Sequence, residues 1–333
     1  MTRIDNLKKG NDMKLKDMRV VIMGASSGIG AATAIAFARE GARLVLGARG
    51  REGLEDIARR CEEVGGSVHY GVVDVTDAAA VKRFAHEARV LLGGIDLWFS
   101  NVGIGVVGKY HEVPIEDHRT VVETNLVGHM NDAHAVLPIF LKQQHGIWVN
   151  MISVGGFVTS PYAAAYAGSK FGLRGFSAAL RGEVRKYPRI HVCDIYPTFV
   201  DTPATGHAGN YTGARLSFPP GALAPEKVAR AVLAVARRPR DTTVVGAPES
   251  ALRLAEFANP VNAALMDRFM DAWRRRAERA PRTTGTMYAP PREPSGVHGE
   301  RHRAGEQSQH TLLKLGLAFA AAALGVEMVR QRS

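Results

Sequence analysis

The sequence predicts an α/β fold, in which a doubly wound parallel sheet of about seven strands is followed by a helical C-terminal extension. Short apolar runs alternate with helical segments from Arg19 to Val245. Parallel neighbours need such helical crossovers, and strands that are buried on both faces form continuous apolar runs. The first run, residues 20–23, passes through a glycine-rich turn into an alanine-rich helix, which is the usual start of this architecture.

The other elements follow in the alternating order that the fold requires. Further strands are predicted at 44–46, 68–73, 95–99, 147–152, 191–196 and 242–245. Helices are predicted at 52–64, 78–92, 115–144, 163–187 and 226–237. Each strand is thus followed by a segment long enough to cross over to a parallel neighbour.

Composition divides the chain into five parts. Residues 1–13 form a polar, flexible leader, and residues 14–248 form the α/β domain. Residues 249–280 form a helical extension, and the amphipathic face of its second helix is expected to pack on the core or on a second subunit. Residues 281–310, rich in Pro, Gly, Arg and Ser, have the composition of a linker. Residues 311–333 form an apolar C-terminal helix.

The apolar C-terminal helix leaves two alternatives open. Its uncharged part, residues 315–326, spans about 18 Å as a helix, whereas the hydrocarbon core of a bilayer is about 30 Å thick. With long basic side chains reaching outwards at its ends, residues 312–329 can nearly cross it. The helix either contacts a membrane through residues 311–330 or docks on the protein or on an oligomer partner.

Composition and charge exclude several classes of function. The chain of 333 residues is 46% hydrophobic and 23% charged, as in ordinary globular proteins. Its net charge of +11 comes from basic residues spread along the chain, so no nucleic-acid site is predicted. Cys61 and Cys193 form no Cys-x-x-Cys pair, and His129 and His134 lack a third ligand, so neither a disulfide nor a metal site is predicted. With no apolar signal at the N-terminus, we expect a cytoplasmic protein.

The turn after the first strand has the properties of a dinucleotide site. Glycines let the backbone approach a pyrophosphate closely, and the helix that begins near Gly28 offers unpaired amides and the positive end of its dipole. The cofactor-binding candidates in this turn are Gly24, Ser26, Ser27, Gly28, Ile29 and Gly30.

Tyr166 and Lys170 are four residues apart at the start of a predicted helix, so the phenol and the ammonium lie on the same face. A neighbouring cation lowers the pKa of a phenol, which can then exchange a proton with an alcohol or carbonyl oxygen. Ser153 directly follows the predicted strand 147–152, at the edge where open α/β sheets bind ligands. Its hydroxyl can polarise a substrate carbonyl.

The glycine turn, Ser153, Tyr166 and Lys170, in this order and spacing, resemble the short-chain dehydrogenase/reductase family over about residues 14–247. The resemblance implies a Rossmann-type catalytic domain. It makes Tyr166 the general acid/base, Lys170 the residue that lowers the tyrosine pKa and holds the nicotinamide ribose, and Ser153 the residue that orients the carbonyl. Asn125 matches the asparagine that holds a water molecule in the family's proton relay, which completes a set of four catalytic residues.

The same resemblance implies further cofactor contacts besides Tyr166 and Lys170. They lie in the segment that contacts adenine, in the stretch after the fourth strand and in the segment that contacts the nicotinamide carboxamide: Asp74, Val75, Asn101, Val102, Gly103, Pro197, Val200 and Thr202. Three positions depart from the family pattern, because Ser100 stands where the family has an asparagine, Val102 where it has an alanine and Thr198 where it has a glycine.

The end of the second strand favours NADP over NAD. Residues 46–51 contain no Asp or Glu that would repel a 2′-phosphate, and Arg49 can bind one. The substrate side is apolar in character. Aromatic residues occur in the loop 203–220 and after Ser153, namely Tyr211, Phe218, Phe157 and Tyr162.

We therefore expect an NADP-dependent oxidoreductase that interconverts a secondary alcohol and a ketone on a fairly apolar substrate. The family pairs the helices that correspond to residues 115–144 and 163–187 between subunits, so a homodimer or homotetramer is expected. The alternative is a catalytically silent nucleotide-binding or membrane-tethered interaction protein on the same fold.

Overall fold

A seven-stranded sheet, in which all neighbouring strands are parallel, forms the centre of the protein. The structure is a computed structural model, and it describes residues 13–217 and 221–299. Across the sheet the order is β3 (Ser67–Val72), β2 (Arg43–Ala48), β1 (Arg19–Met23), β4 (Leu97–Ser100), β6 (Gly146–Met151), β7 (Ile190–Pro197) and β9 (Thr242–Val245). A separate parallel pair is formed by β5 (Val106–Val107) and β8 (Gly209–Asn210). The predicted fold class is confirmed.

Helices cover both faces of the sheet. They are α1 (Gly28–Arg39), α2 (Arg51–Glu62), α3 (Ala78–Leu92), α4 (Ile115–Val122), α5 (Gly128–Gln143), α6 (Ala164–Val184), α7 (Ala204–His207), α8 (Pro225–Arg237), α9 (Glu249–Phe257) and α10 (Asn259–Arg276). A π-helical segment, Glu123–Val127, joins α4 to α5, so the long predicted helix is one continuous segment with a local change of winding. Such π-helical segments occur frequently at functional sites.

Two apolar layers hold the helices to the sheet. On one face, side chains of α1, α2 and α8 pack on the strands, with Phe37 of α1 fully buried. On the other face, α3, α5 and α6 do the same, with Phe140 of α5 and Trp148 of β6 fully buried. The chain runs outwards from β1 to β3 and then returns to β4 on the other side of β1. This reversal opens a crevice beyond the carboxyl ends of β1 and β4, where such sheets bind ligands.

The two helices of the C-terminal extension lie beside this crevice and are fixed mainly by polar contacts. Arg174 of α6 pairs with Glu256 of α9 at 2.6 Å, and the Tyr162 hydroxyl donates to Asp271 of α10 at 2.5 Å. No residue of α10 is buried, and Phe269 is 58% exposed. The apolar face of α10 therefore does not pack on the core, and packing on a second subunit stays a prediction.

Residues 277–299, here called the strap, follow α10 without helix or strand. The sequence predicts a linker from residue 281, yet Met287 and Val297 of the strap are only 1% and 4% exposed. The strap crosses the carboxyl edge of the sheet and contacts the glycine turn. None of the helices within residues 13–217 and 221–299 is long and apolar enough to cross a membrane. The predicted leader up to residue 12 and the predicted helix 311–333 lie outside the described residues.

Asp132 of α5 is a fully buried carboxyl group in the layer that also contains Trp98. Neither of its oxygens accepts a hydrogen bond of good geometry from a described residue. Burial raises the pKa of Asp132 to about 7, although the Ser100 hydroxyl and the Trp98 indole act in the opposite direction. Because the ordinary pKa is 3.8, the folded protein binds more protons than the unfolded chain between these two values. Its stability therefore falls as the pH rises through this interval.

We expect Asp132→Asn to raise the free energy of unfolding by about 1–3 kcal/mol near pH 8, and by much less near pH 4.5, since the amide carries no charge to bury. Urea denaturation at both pH values measures the difference. Asp267→Asn on the exposed side of α10 is the control and should change neither value by more than about 0.5 kcal/mol. A gain for Asp132→Asn that is equal at both pH values would contradict the assignment.

Candidate active site

The glycine turn is packed tightly between β1, α1 and the segment after β4. The Gly24 amide donates to the Gly47 carbonyl at 2.7 Å, and the Gly24 carbonyl accepts from the Asn101 side chain at 3.2 Å. Gly24 and Gly28 have φ values of 73° and 56°, which favour glycine. A Cβ atom on Gly24 would lie 3.1 Å from the Val102 backbone, and one on Gly28 would lie 3.1 Å from Thr202. Side chains at these two positions would therefore meet neighbouring protein atoms, so the close packing of the turn requires glycine.

The other predicted cofactor residues lie along the same edge of the sheet. Thr202, which is 7% exposed, follows β7 and lies next to Gly28. Asp74 follows β3, where one of its oxygens accepts from the Thr76 amide at 2.9 Å and from the Thr76 hydroxyl at 2.8 Å. The remaining ones are distributed over the ends of β3, β4 and β7: Val75, Asn101, Val102, Gly103, Pro197 and Val200. The structure therefore brings the predicted set to one edge.

Ser153, Tyr166 and Lys170 meet at the end of β6. The Ser153 hydroxyl accepts from the Gly155 amide at 3.1 Å, and it lies close enough to the Tyr166 phenol to lower the pKa of that phenol. A Cβ atom on Gly155 would lie 3.3 Å from the Tyr166 ring, so glycine leaves this approach open. The Lys170 ammonium donates to the Met151 carbonyl at 3.1 Å and lies 5.7 Å from the centre of the Tyr166 ring. The predicted one-turn spacing thus places both side chains beside the serine.

The charge states of this pair differ from the sequence-based expectation. Burial raises the pKa of the Tyr166 phenol, while its hydrogen bond with Ser153 lowers it by a smaller amount. Burial also lowers the pKa of Lys170 to about 7. The sequence predicted a lowered tyrosine pKa, whereas the net shift in the structure is upward, because the burial that brings the two groups together disfavours both charged forms. Tyr166 is a neutral hydrogen-bond donor at neutral pH.

Asn125 is fully buried in the π-helical segment between α4 and α5. Its amide group accepts from the Ile104 backbone N–H at 2.8 Å and donates to the Ile104 carbonyl at 2.9 Å. A third contact joins it to the Ser169 hydroxyl at 3.3 Å. A Cβ atom on Gly103 would lie 3.8 Å from both the Asn125 oxygen and the Lys170 nitrogen. Asn125 therefore fixes the loop after β4 close to Lys170.

Arg49 lies at the end of β2, as predicted, but its guanidinium is engaged by the strap. One terminal nitrogen donates to the Met287 carbonyl at 2.8 Å and the other to the Thr286 carbonyl at 2.9 Å. A guanidinium has five N–H donors, so these two bonds leave three for an anion. The sequence predicted an arginine open to a phosphate, and the structure differs because the strap reaches this point.

Sequence reasoning missed the strap and one carboxylate beneath it. The Gly28 amide, at the start of α1, donates to the Gly296 carbonyl at 3.0 Å. Asp117 of α4 accepts from two tyrosines, Tyr211 and Tyr288, each at 2.5 Å. The sequence signal for the strap was its glycines. In the structure Gly285 has a φ of 58°, and a Cβ there would lie 2.1 Å from the His207 carbonyl oxygen, so close packing requires glycine at this position.

The aromatic residues predicted for the substrate side separate into two groups. Tyr211 packs against the same apolar cluster as Tyr166, which includes Val106 and Met287. Phe157 is 1% exposed and packs on Tyr196 at 4.8 Å between ring centres, so it belongs to the core and not to a binding surface. Phe218 lies outside the described residues.

His129 of α5 is a buried histidine that shapes the cofactor edge. Its Nε2 lies 2.7 Å from the Val102 carbonyl oxygen. Burial, with the nearby Lys170 charge, lowers the pKa of His129 to about 4, so the imidazole is neutral at pH 7. Its Nδ1 lies 2.6 Å from the Asn150 side-chain oxygen, so the single N–H of the neutral ring faces one of two acceptors, and the ring connects the segment after β4 to β6.

Comparison with known proteins agrees with this geometry. A family model described as short chain dehydrogenase matches residues 18–211. A Bacillus subtilis (strain 168) protein, uncharacterized oxidoreductase YxnA, is 30% identical over 288 residues, which are 86% of this chain and 79% of that protein. Dehydrogenase/reductase SDR family member 7B of Xenopus tropicalis is 32% identical over 244 residues, 70% of this chain and 78% of that protein.

One solved structure is similar over most of its length. It is an alcohol dehydrogenase from the archaeon Thermococcus sibiricus complexed with 5-hydroxy-NADP, with a TM-score of 0.60 and 29% sequence identity. The match covers 68% of this chain and 95% of that structure. Residues 18–211, which the family model matches, contain the glycine turn and the Ser153, Tyr166 and Lys170 cluster. The chain belongs to the short-chain dehydrogenase/reductase family and is an NAD(P)-dependent dehydrogenase/reductase.

Proposed function

We propose that this protein is an NADP-dependent oxidoreductase that interconverts a secondary alcohol and a ketone on a fairly apolar substrate, with Tyr166 as the general acid/base. The observation that carries this proposal is the cluster at the end of β6. There a Cβ atom on Gly155 would lie 3.3 Å from the Tyr166 ring and 3.5 Å from the Ser153 hydroxyl, and the Lys170 ammonium lies 5.7 Å from the centre of the same ring. A sensor that only binds a nucleotide would not need this arrangement of donors.

The residues at the crevice fit a dinucleotide. The positive φ values of Gly24 and Gly28 keep side chains away from the start of α1, and the Gly28 amide, which donates to the Gly296 carbonyl of the strap at 3.0 Å, is a backbone donor of the kind that a pyrophosphate accepts from. In this proposal the glycine turn holds the pyrophosphate, Lys170 holds the nicotinamide ribose and Thr202 contacts the carboxamide. A bound NADPH would supply the hydride that reduces a carbonyl carbon.

The protein's own residues then handle the proton. The Ser153 hydroxyl orients and polarises the substrate carbonyl, and Tyr166 donates its phenolic proton to the carbonyl oxygen as the alcohol forms. The raised pKa of Tyr166, caused by burial, suits this direction because the phenol is protonated before the reaction. A protonated Lys170 nearby stabilises the phenolate that remains.

Turnover tests this proposal directly. We expect the protein to oxidise NADPH in the presence of apolar ketones such as acetophenone and 2-nonanone, followed at the nicotinamide absorbance. The product should be the corresponding secondary alcohol, identified by mass spectrometry. Consumption of NADPH without formation of alcohol, or inertness towards every ketone, would contradict the proposal.

The choice of NADP rests on Arg49 and on the absence of an acidic residue from residues 46–51. Arg49→Ala should raise the Kd of NADP⁺ by about tenfold or more, because a charged contact to the 2′-phosphate is lost, while the Kd of NAD⁺ changes by less than about threefold. Isothermal titration calorimetry measures both. Arg59→Ala on the exposed face of α2, where Arg59 pairs with Asp56 at 2.7 Å, removes the same charge and is the matched control.

The NAD⁺ titration also separates the two roles of Arg49. Since Arg49 holds two strap carbonyls, its loss alters the strap whichever dinucleotide is present. Equal weakening of NADP⁺ and NAD⁺ would show that the strap contact alone matters and would overturn the assignment of Arg49 to the 2′-phosphate.

We also propose a cytoplasmic homodimer or homotetramer assembled through α5 and α6, as in the family. Contact of residues 311–330 with a membrane stays a prediction.

A further inference from the structure

The strap is fastened to the loop that follows β7, here called the substrate loop (residues 203–217). The Asn210 amide donates to the Thr283 carbonyl at 2.7 Å, and the Thr283 amide donates back to Asn210 at 3.0 Å. Asn210 belongs to β8, which pairs on its other side with β5 next to the loop after β4. The strap therefore adds a third segment to the short parallel pair of β5 and β8.

Met287 is the part of the strap that reaches furthest inwards. It is 1% exposed and lies in one apolar cluster with Val106, Tyr211 and Tyr166. Its methyl group would lie 2.9 Å from a Cβ atom on Gly209, so the substrate loop has glycine where Met287 packs. A flexible thioether thus belongs to the same apolar cluster as the side chain that is proposed to donate the proton.

Contacts on both sides fix the position of Met287. Its own carbonyl accepts from Arg49 at 2.8 Å. The next residue, Tyr288, donates from its hydroxyl to one oxygen of Asp117 at 2.5 Å, and Tyr211 of the substrate loop donates to the other oxygen at 2.5 Å. Asp117 is only 3% exposed, so this carboxylate joins the strap and the substrate loop in a partly desolvated setting.

From these contacts we propose that Met287 is a specificity-determining residue. It forms the wall of the substrate site next to Tyr166 and limits the size of the apolar group that the carbonyl carries. Tyr288 is its positioning residue, because the bond to Asp117 holds the strap against the substrate loop. The inference rests on the proposed function, and it assigns substrate selection to residues beyond the region that the family model matches, which ends at residue 211.

Kinetics on ketones of graded size test the wall. We expect Met287→Ala to raise the ratio of kcat/KM for butyrophenone over acetophenone by about tenfold, since the shortened side chain makes room for the extra methylenes. Met287→Leu nearly conserves the volume and should keep the ratio within about threefold of the wild type. Met13→Ala, on the 38% exposed Met13 that precedes β1, is the matched control and should leave the ratio unchanged.

The positioning role of Tyr288 has its own readout. Tyr288→Phe removes only the hydroxyl that bonds to Asp117, so KM should rise severalfold for all aromatic ketones while the Kd of NADPH and kcat stay within about twofold. A drop in kcat with unchanged KM would overturn this role. If Met287→Ala left the ratio of kcat/KM for butyrophenone over acetophenone unchanged, the role of Met287 as the wall of the substrate site would be refuted.

Methionine-methyl NMR separates this inference from the proposed function. With ¹³C-methyl methionine, the Met287 resonance is the one that Met287→Leu removes. We expect butyrophenone to shift the Met287 resonance in protein saturated with NADP⁺, while the Met13 resonance stays in place. If the Met287 resonance shifts but NADPH is never oxidised, the proposed function is refuted, while the role of Met287 at the substrate site is supported. If ketones are reduced while the Met287 resonance stays in place, only the role of Met287 is refuted.

Discussion

Tyr166→Phe is expected to lower kcat for ketone reduction by about 10³-fold, because it removes the proton donor and leaves water as the only replacement. Binding of NADPH should change by less than about threefold, since the ring and the neighbouring Lys170 remain. Ser153 would keep its bond to the Gly155 amide at 3.1 Å, so the local backbone is retained. Single-turnover absorbance and NADPH fluorescence titration give the two quantities.

A tyrosine outside the crevice provides the control for this substitution. Tyr187 follows the end of α6 and packs against the apolar layer of α5 and α6. Tyr187→Phe removes a hydroxyl in the same way and should leave kcat within about twofold. If Tyr166→Phe kept more than a tenth of the wild-type kcat, another group would have to deliver the proton.

Gly30→Ala is expected to destabilise the protein by about 3 kcal/mol and to abolish NADPH binding, because the new methyl group meets backbone atoms that cannot turn away. Its Cβ would lie 2.1 Å from the Gly24 carbonyl oxygen and 2.9 Å from the Asn101 side-chain nitrogen. Relief of this clash requires the glycine turn to leave β1. Urea denaturation and NADPH fluorescence titration measure the two effects.

The matched control is the same substitution at an open site. Gly182 is an exposed position in α6, and a Cβ there meets no atom within 4 Å. Gly182→Ala should therefore stabilise the protein by about 0.5–1 kcal/mol, because alanine loses less conformational entropy in a helix. If both substitutions had the same small effect on unfolding, the close packing of the turn would be refuted.

The sequence predicts the fold well because its signals are local. Each strand is an apolar run, each crossover is a helix of sufficient length, and the glycine turn directly follows the first strand. The pairing of Tyr166 with Lys170 is local too, since four residues make one helical turn. The position of Ser153 follows from its place after β6.

What the sequence misses depends on contacts between distant segments. The composition of residues 281–310 indicates a linker, and only the bonds to Arg49 and Asp117 reveal that the strap packs on the site. The direction of the Tyr166 pKa has the same origin. Spacing shows that a lysine is near, whereas the burial that raises the pKa of the phenol is a property of the folded surroundings.

The strap has a consequence for how this protein can diverge. Its carbonyls accept from Arg49, from the Gly28 amide and from the Asn210 amide, and Tyr288 donates to Asp117, whereas the side chain of Met287 contacts its neighbours by packing alone. Because the bonds to the dinucleotide side are made by the backbone of the strap, side-chain substitutions in this segment can reshape the surroundings of the reacting carbon and leave those bonds in place. A chimera in which the strap of a relative replaces residues 277–299 is expected to acquire that relative's selectivity among ketones. It is expected to retain the coenzyme preference of this protein.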